Sequence, residues 1–292
     1  MTAQPAVAAI SPSPFGLLRL RRSIARVIVY ALLVTFAVIF LIPVYMLLVT
    51  GFKDFSQVSL STMWNFPTLF SLDGFREAFD KLSPNLVNSF VLVIPATLLS
   101  AFIGSINGYV LSKWKFRGAN ILFPLMLFGM FIPYQAILIP LVQFLGSIHL
   151  YGNISGLIAV NVIYGIPITT LIFRNYYAEV PTEMLEAGAI DGAGFFGIYR
   201  HIIFPVSAPA FVVVVIWQFT QIWNEFMFAV SIVTAADKVP ITVALQNLSG
   251  AQVVEWNVQM AGAFLAALPT LLVYIILGRY FIRGLLAGSV KG

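Results

Sequence analysis

Residues 179–205 read Glu-Val-Pro-Thr-Glu-Met-Leu-Glu-Ala-Gly-Ala-Ile-Asp-Gly-Ala-Gly-Phe-Phe-Gly-Ile-Tyr-Arg-His-Ile-Ile-Phe-Pro, between two apolar runs at 154–173 and 208–233. About 20 mainly apolar residues suffice for a helix to cross a bilayer, and both runs reach that length. Inside the polar stretch, Pro181 suits a first helical turn and Thr182 can cap it. Glu183 and Glu186 lie near the start of that helix, where negative charge complements the helix dipole. Met184, Ala187 and Ile190 recur at helical spacing and make a small, mostly apolar face. Gly188 beside Ala187 admits close approach by another chain. Asp191-Gly192 reads as a break, because Gly tolerates the left-handed conformation and Asp can cap a following helix. A second short helix is expected over 195–203, stopping at Pro205. The spacing therefore predicts a helix–turn–helix bracket outside the membrane. A plain connecting loop is the other reading, but the small-residue face and the acidic edge favour a docking element.

Working outward, six stretches qualify as spans: 27–50, 86–111, 121–145, 154–173, 208–233 and 258–278. They hold one charged residue between them, Glu225. Strand-period alternation is absent and the runs are too long for barrel strands. Lipid cannot satisfy an open backbone, so the spans must be helices and the chain an all-α integral membrane protein. Composition agrees: 60% of the 292 residues are hydrophobic and 9% are charged, against about 45–50% and about 25% in soluble domains. This excludes a disordered chain, a basic nucleic-acid-binding protein and an ordinary cytosolic enzyme. The net charge of +5 argues for no nucleic-acid partner, since the distribution of charge matters more than its sum.

That distribution sets orientation. Arg19, Arg21, Arg22, Arg26, Lys113, Lys115, Arg117, Arg174, Arg200, Arg279, Arg283 and Lys291 fall on one side of the six spans, and Lys53, Arg76, Lys81 and Lys238 on the other. Positive residues gather on the cytoplasmic side, which puts both termini and the bracket there; the resemblance set out below implies a plasma (inner) membrane of a bacterium or archaeon. The first span is too long for a signal-peptide core, and no small-residue cleavage site follows it. Residues 1–18, rich in Ala, Pro and Ser, read as a disordered cytoplasmic tail before a six-span domain over 19–292, which the resemblance set out below makes a permease domain. The outer segment 52–85 mixes charges with Trp64, Phe66 and Phe70. It reads either as a solvated loop with interfacial aromatics or as a surface for an external partner.

No chemistry of the chain's own is legible. There is no Cys, and the two His residues, His149 and His201, are far apart, so neither a catalytic nor a metal site is expected. No phosphate loop of the Gly-x4-Gly-Lys-Ser/Thr kind occurs, so ATP hydrolysis would need a partner. Glu225 is the one intramembrane carboxylate, a functional-site candidate by default. At 1.5 Å per residue it sits roughly 24 Å along the helix from Pro209, near the outer interface. It can be structural, part of a gate or a solute contact. Gln218, Gln221 and Asn224 share its side of the helix, as interhelical glue or as the lining of a hydrated path.

The bracket resembles the "EAA" loop of ATP-binding-cassette importer permeases: Glu186-Ala187-Gly188, then Asp191-Gly192-Ala193, then Pro205 and Pro209. Gly188 stands where many members carry Ala. The six spans, the run Trp223-Asn224-Glu225-Phe226 and the closing Gly288-Ser-Val-Lys-Gly292 extend the similarity over about 250 residues. They look like the carbohydrate-uptake branch, and like its smaller, maltose-permease-like member. The resemblance implies the type I importer permease fold and transport of a mono- or oligosaccharide, with glycerol phosphate or another polyol derivative as the other solute class left open. As partners it implies a second, homologous permease, two ATPase subunits that carry ATP and Mg2+, and an external sugar-binding protein. It makes residues 179–205 a coupling loop, with Glu186, Ala187, Gly188, Asp191, Gly192 and Ala193 as its ATPase contact and Lys291 as a lesser one.

A rival reading is a stand-alone, ion-coupled carrier, which would need ion-binding carboxylates and usually inverted repeats with interrupted helices. A lone carboxylate and no obvious repeat argue against it. The orientation is directly testable in this Cys-free background. Cysteines introduced at Ser61 and Ser147 should react with an impermeant thiol reagent from outside, and one at Ala193 should not. Outside labelling at Ala193 would overturn the orientation.

Overall fold

The structure is a computed structural model that describes residues 14–114, 116–250 and 254–287. The expected tail therefore lies outside the described residues up to position 13, while residues 14–18 are helical. Lys291 and the closing pentapeptide also lie outside them.

Among the described residues eleven helices follow one another: α1 (Pro14–Gly51), α2 (Asp73–Lys113), α3 (Ala119–Gly129), α4 (Tyr134–Ser147), α5 (Ile154–Ala178), α6 (Thr182–Ile190), α7 (Phe195–Val206), α8 (Ala208–Trp223), α9 (Met227–Ile232), α10 (Ile241–Ser249) and α11 (Trp256–Ala287). Four of them, α1, α2, α5 and α11, are long and apolar enough to cross a membrane singly. Two bent pairs, α3–α4 at 97° and α7–α8 at 75°, bring the number to six when each pair counts as one span.

The expected spans are corrected in three places. The run 121–145 is not one helix. Proline disfavours the α region for the residue before it, and the chain breaks ahead of Pro133: α3 ends at Gly129 and α4 starts afresh at Tyr134. The run 208–233 is broken at Asn224–Phe226, between α8 and α9. The second span starts at Asp73 rather than near 86. Its polar first turns are helical because Asp73 and Arg76 pair at i, i+3 and Glu77 and Lys81 at i, i+4.

What precedes α2 is a short folded apron. Lys53 is buried, and its ammonium donates to the carbonyls of Thr62 (2.8 Å) and Met63 (3.3 Å). Burial pulls that amine below the usual lysine range. Gln57 ties the far edge, accepting from Thr68 N at 2.9 Å and donating to Leu69 O at 3.2 Å. Leu60, Trp64, Phe66 and Phe70 stay exposed on it.

The bundle is organised by α2 against α5. Gly104 and Gly108, one turn apart on α2, face Thr169 and Phe173 of α5. A Cβ at Gly104 would lie 2.5 Å from Thr169 Cβ, and one at Gly108 would lie 2.7 Å from Phe173 Cβ. Small residues at this spacing let two helices meet backbone to backbone, which in lipid replaces the missing hydrophobic drive between helices. Thr169 Oγ1 then donates across the seam to Ser100 O at 3.0 Å. The third layer is α8, held to α2 by Gln218 Nε2 on Ser100 Oγ (2.9 Å) and to α11 by Trp223 Nε1 on Ala266 O (2.9 Å). Leu92, Val93 and Ala96 of α2, Leu157 and Val160 of α5, Ile222 of α8 and Ile232 of α9 fill the core between these helices.

The glycine seam makes a stability prediction. Gly104→Val would overlap Thr169 and should destabilise the chain by about 1–3 kcal/mol, as overpacking does. Gly146→Ala meets nothing within 4 Å and should not. Thermal unfolding in detergent checks the pair, and equal midpoints would show that the seam can open.

Candidate functional site

The bracket is built much as its sequence reads, with local differences. α6 starts at Thr182, but Pro181 takes the cap position and no side chain caps the helix. At its other end Gly192 has φ +85°. The amide of Ala193 reaches Gly188 O at 2.9 Å, and that of Gly192 reaches Ala189 O at 3.0 Å. This 6→1 and 5→2 pair is the Schellman arrangement, which closes a helix on a left-handed residue. Asp191 does not cap the next helix, since Gly194 holds that position.

The second arm does not stop at Pro205. It runs as α helix to Ile198, widens into a π-turn over Tyr199–Ile203 and continues to Val206. The sharp change of direction comes after Ser207, where Pro209 opens α8. Proline suits a first turn, where its missing N–H costs nothing.

Gly188 is buried because the second arm lies on it: a Cβ there would sit 2.5 Å from Ile202 Cδ1. Around this buried point the first arm is bare. Glu183, Met184, Glu186, Ala187 and Ile190 are exposed, Ile190 at 86%, and Phe196 of the second arm reaches 75%. Asp191 and Gly192 are exposed and Ala193 is half-buried. The bracket thus offers solvent a small apolar surface with carboxylates along its edge.

It is fastened underneath. Lys113 Nζ, at the end of α2, donates to Val180 O at 2.5 Å. Tyr109 and Trp114 of that end stack against Phe195, with ring centroids 5.1 Å apart in each pair. Ser105 Oγ joins the hydroxyls of Tyr177 on α5 (2.6 Å) and Tyr199 on the π-turn (2.9 Å). His201 is exposed, with Nδ1 on Gly197 O at 3.0 Å.

The second candidate region lies at the far end of α8. A cavity of about 460 Å³ is lined there by Tyr134, Asn161 and Tyr164 from α4 and α5, by Trp217 and Gln221 from α8 and by Asn224 just past its end, among others. Gln218 forms part of its floor and is 3% exposed, because its carboxamide is committed to Ser100; it serves as interhelical glue as well as lining. Gln221 and Asn224 are exposed.

Glu225 also lines the cavity, yet it does not sit on the α8 stripe. It lies in the break, and its two carboxylate oxygens accept from Phe228 N (2.7 Å) and Ala229 N (3.0 Å) at the start of α9. The acid satisfies amides that the interruption leaves free and complements the positive end of the short helix. An acid just before a fresh apolar run is a helix-start signal, and it marks this break in the sequence. Aromatic faces beside amide groups suit a polyhydroxylated solute, offering apolar contact for C–H faces and hydrogen bonds for hydroxyls. No Lys or Arg lines the cavity among the described residues.

With this geometry in hand, comparison with known proteins is specific. Residues 100–286 match the family of binding-protein-dependent transport system inner membrane components. A probable ABC transporter permease protein of Pyrococcus horikoshii is 45% identical over 93% of this chain and 99% of its own length. The xylose/arabinose import permease protein of Haloferax volcanii is 36% identical over 90% of this chain and 93% of its own. The glucose import system permease protein of Saccharolobus solfataricus is 32% identical over 90% and 95%. In fold, the chain is similar to a chain of the crystal structure of a bacterial ABC transporter involved in import of the acidic polysaccharide alginate. The TM-score is 0.78 at 19% identity, over 89% of this chain and 97% of that one. An all-helical, multi-pass chain with a capped bracket at residues 182–206 and this pattern of likeness belongs to the family of binding-protein-dependent transport system inner membrane components.

Proposed function

We propose that the chain is one half of the membrane channel of an ATP-driven sugar importer. Its bracket is the contact with the ATPase, and its cavity is part of the solute path. The observation that carries this reading is the bare face of α6: Met184, Ala187 and Ile190 exposed with Glu183 and Glu186, at a turn locked by Gly192. A soluble cleft on an ATPase subunit would cover that face. Glu186, Ala187, Gly188, Asp191, Gly192 and Ala193 make up the contact, with Lys291 as a lesser one. Gly188 contributes by holding the second arm close, since it is buried under Ile202.

The bracket faces the cytoplasm in this reading, with both termini, because the Lys and Arg residues gather at that end. The working assembly holds a second, homologous permease, two ATPase subunits that bind ATP and Mg2+, and an external sugar-binding protein, all within or against the plasma membrane. The most apolar stretch of α1 is entirely unburied within this chain, and lipid or the second permease covers it. ATP binding closes the ATPase dimer and draws the two brackets together, so that the bundle turns from inward-open to outward-open; hydrolysis resets it. This chain is a lever and a channel wall and carries out no reaction itself.

The solute is a neutral sugar. The relatives named as xylose/arabinose and glucose import proteins support a sugar, and a cavity of aromatics and amides without a lining cation suits an uncharged one better than a phosphorylated one. The ion-coupled carrier is disfavoured further, because each oxygen of its lone candidate carboxylate, Glu225, accepts from a backbone amide.

The bracket supplies the test. A side chain at Gly192 is strained by about 1–2 kcal/mol in the left-handed conformation, so Gly192→Leu should reorient α6. Glu186→Lys should reverse a charge on the exposed edge. Neither change touches a span, so both variants should insert at normal levels, lose sugar uptake, and either release the ATPase or hydrolyse ATP without transport. Co-purification beside uptake decides it: full retention with full uptake in both variants would sink the assignment.

A further inference from the structure

Three hydroxyl residues stand on one face of α2: Ser105, Tyr109 and Ser112, at i, i+4 and i+7. Their states differ. Ser105 Oγ is bonded to Tyr199 OH of the bracket and to Tyr177 OH of α5, at 2.9 and 2.6 Å. The hydroxyl of Ser112 is buried with no hydrogen-bond partner, and that of Tyr109 has only the Trp114 indole N–H beside it, which leaves its own proton without an acceptor. Buried, unpaired hydroxyls are uncommon and cost free energy, so each calls for a physical reason.

The position of Tyr199 supplies one. Its ring lies between Phe102 and Tyr109, with centroids 6.3 and 5.7 Å away. Those two residues are seven apart, about 10.5 Å along the helix. The Tyr199 hydroxyl takes the upper rung while its ring already rests against the next. Tyr199 also opens the π-turn Tyr199–Ile203. A π-turn holds more residues than an α-turn, and such turns are frequent at functional sites. A segment of this kind can change register by local adjustment, and displacement of one element past another by a helical turn is a known form of switching.

We propose that Ser105 and Tyr109 are alternative partners for Tyr199, so that the bracket steps down α2 by one turn between two states of the transport cycle. Tyr109 and Tyr199 are then positioning residues for coupling: the unused proton of the Tyr109 hydroxyl is donated in the state that follows bracket movement. Tyr177 stays with Ser105 in both states, because it belongs to α5, which the glycine seam fixes to α2. The inference rests on the bracket being the ATPase contact.

The experiment uses the assembled transporter in lipid nanodiscs or vesicles and compares Tyr109→Phe, Tyr177→Phe and Tyr199→Phe with the parent. The readouts are the unfolding midpoint, the amount of bound ATPase and the sugar imported per ATP hydrolysed. Tyr109→Phe removes a hydroxyl whose proton is donated to nothing in this structure and which has only the Trp114 N–H beside it, so its midpoint should hold. Its sugar per ATP should nonetheless drop about fivefold, the factor that one net hydrogen bond is worth. Tyr199→Phe should lower both midpoint and yield, whereas Tyr177→Phe should lower the midpoint and spare the yield. An unchanged yield in Tyr109→Phe overturns the proposal, and so does a midpoint that falls with it. Glu186→Lys, run alongside, separates the two readings. If it keeps both ATPase and uptake, the bracket assignment fails. If it uncouples while Tyr109→Phe does not, only the exchange of partners fails.

Discussion

Gly104 and Gly108 leave no room for a side chain between α2 and α5, and the architecture hangs on that contact. Because the two backbones touch at Thr169 and Phe173, the polar groups along the seam come within hydrogen-bond reach. Ser100 receives Thr169 at its carbonyl and Gln218 at its hydroxyl, which brings α8 in as the third layer. One turn further, Ser105 takes hydroxyls from α5 and from the bracket. Polar groups buried in a lipid-embedded bundle are costly alone and binding when paired. The seam therefore fixes the cavity-forming helices and the bracket to one common element.

This arrangement gives a physical sense to the distance between the two candidate regions. The bracket is at one end of α8 and the cavity at the other, about 16 residues or some 24 Å apart. Fifteen unbroken intervals of helix transmit a tilt with little loss. The interruptions sit at its two ends, after Ser207 and at Asn224–Phe226, where a helix can pivot. Glu225 stabilises the second pivot by holding the first amides of α9. Its role is thus tied to the shape of the chain first and to the solute second.

Much of this was legible in the sequence. Length and apolarity gave the spans, and the Asp191-Gly192 pair marked the turn that Gly192 makes at φ +85°. Hydropathy averages composition over a window and is blind to backbone direction, which is why 121–145 and 208–233 read as unbroken. Pro133 and Glu225 each held a local signal, a residue preceding proline and an acid opening a new apolar run. The Gly104–Gly108 spacing was likewise present and reads as a close helix contact. The π-turn at Tyr199–Ile203 has no evident sequence mark. For Gln218 helical spacing leaves interhelical glue and path lining both open; spacing fixes a side of α8 but not which neighbour, Ser100 or open cavity, the side chain meets.

Alternating exposure of the cavity is the central claim, and Gln221 reports it best because it is exposed on α8 and free of the Ser100 bond. The decisive measurement is the side from which a cysteine at Gln221 reacts with an impermeant maleimide, in the assembled transporter, without nucleotide and then trapped with ATP. The account predicts labelling from the bracket side without ATP and from the opposite side with it. Labelling from the same side in both states would contradict the account.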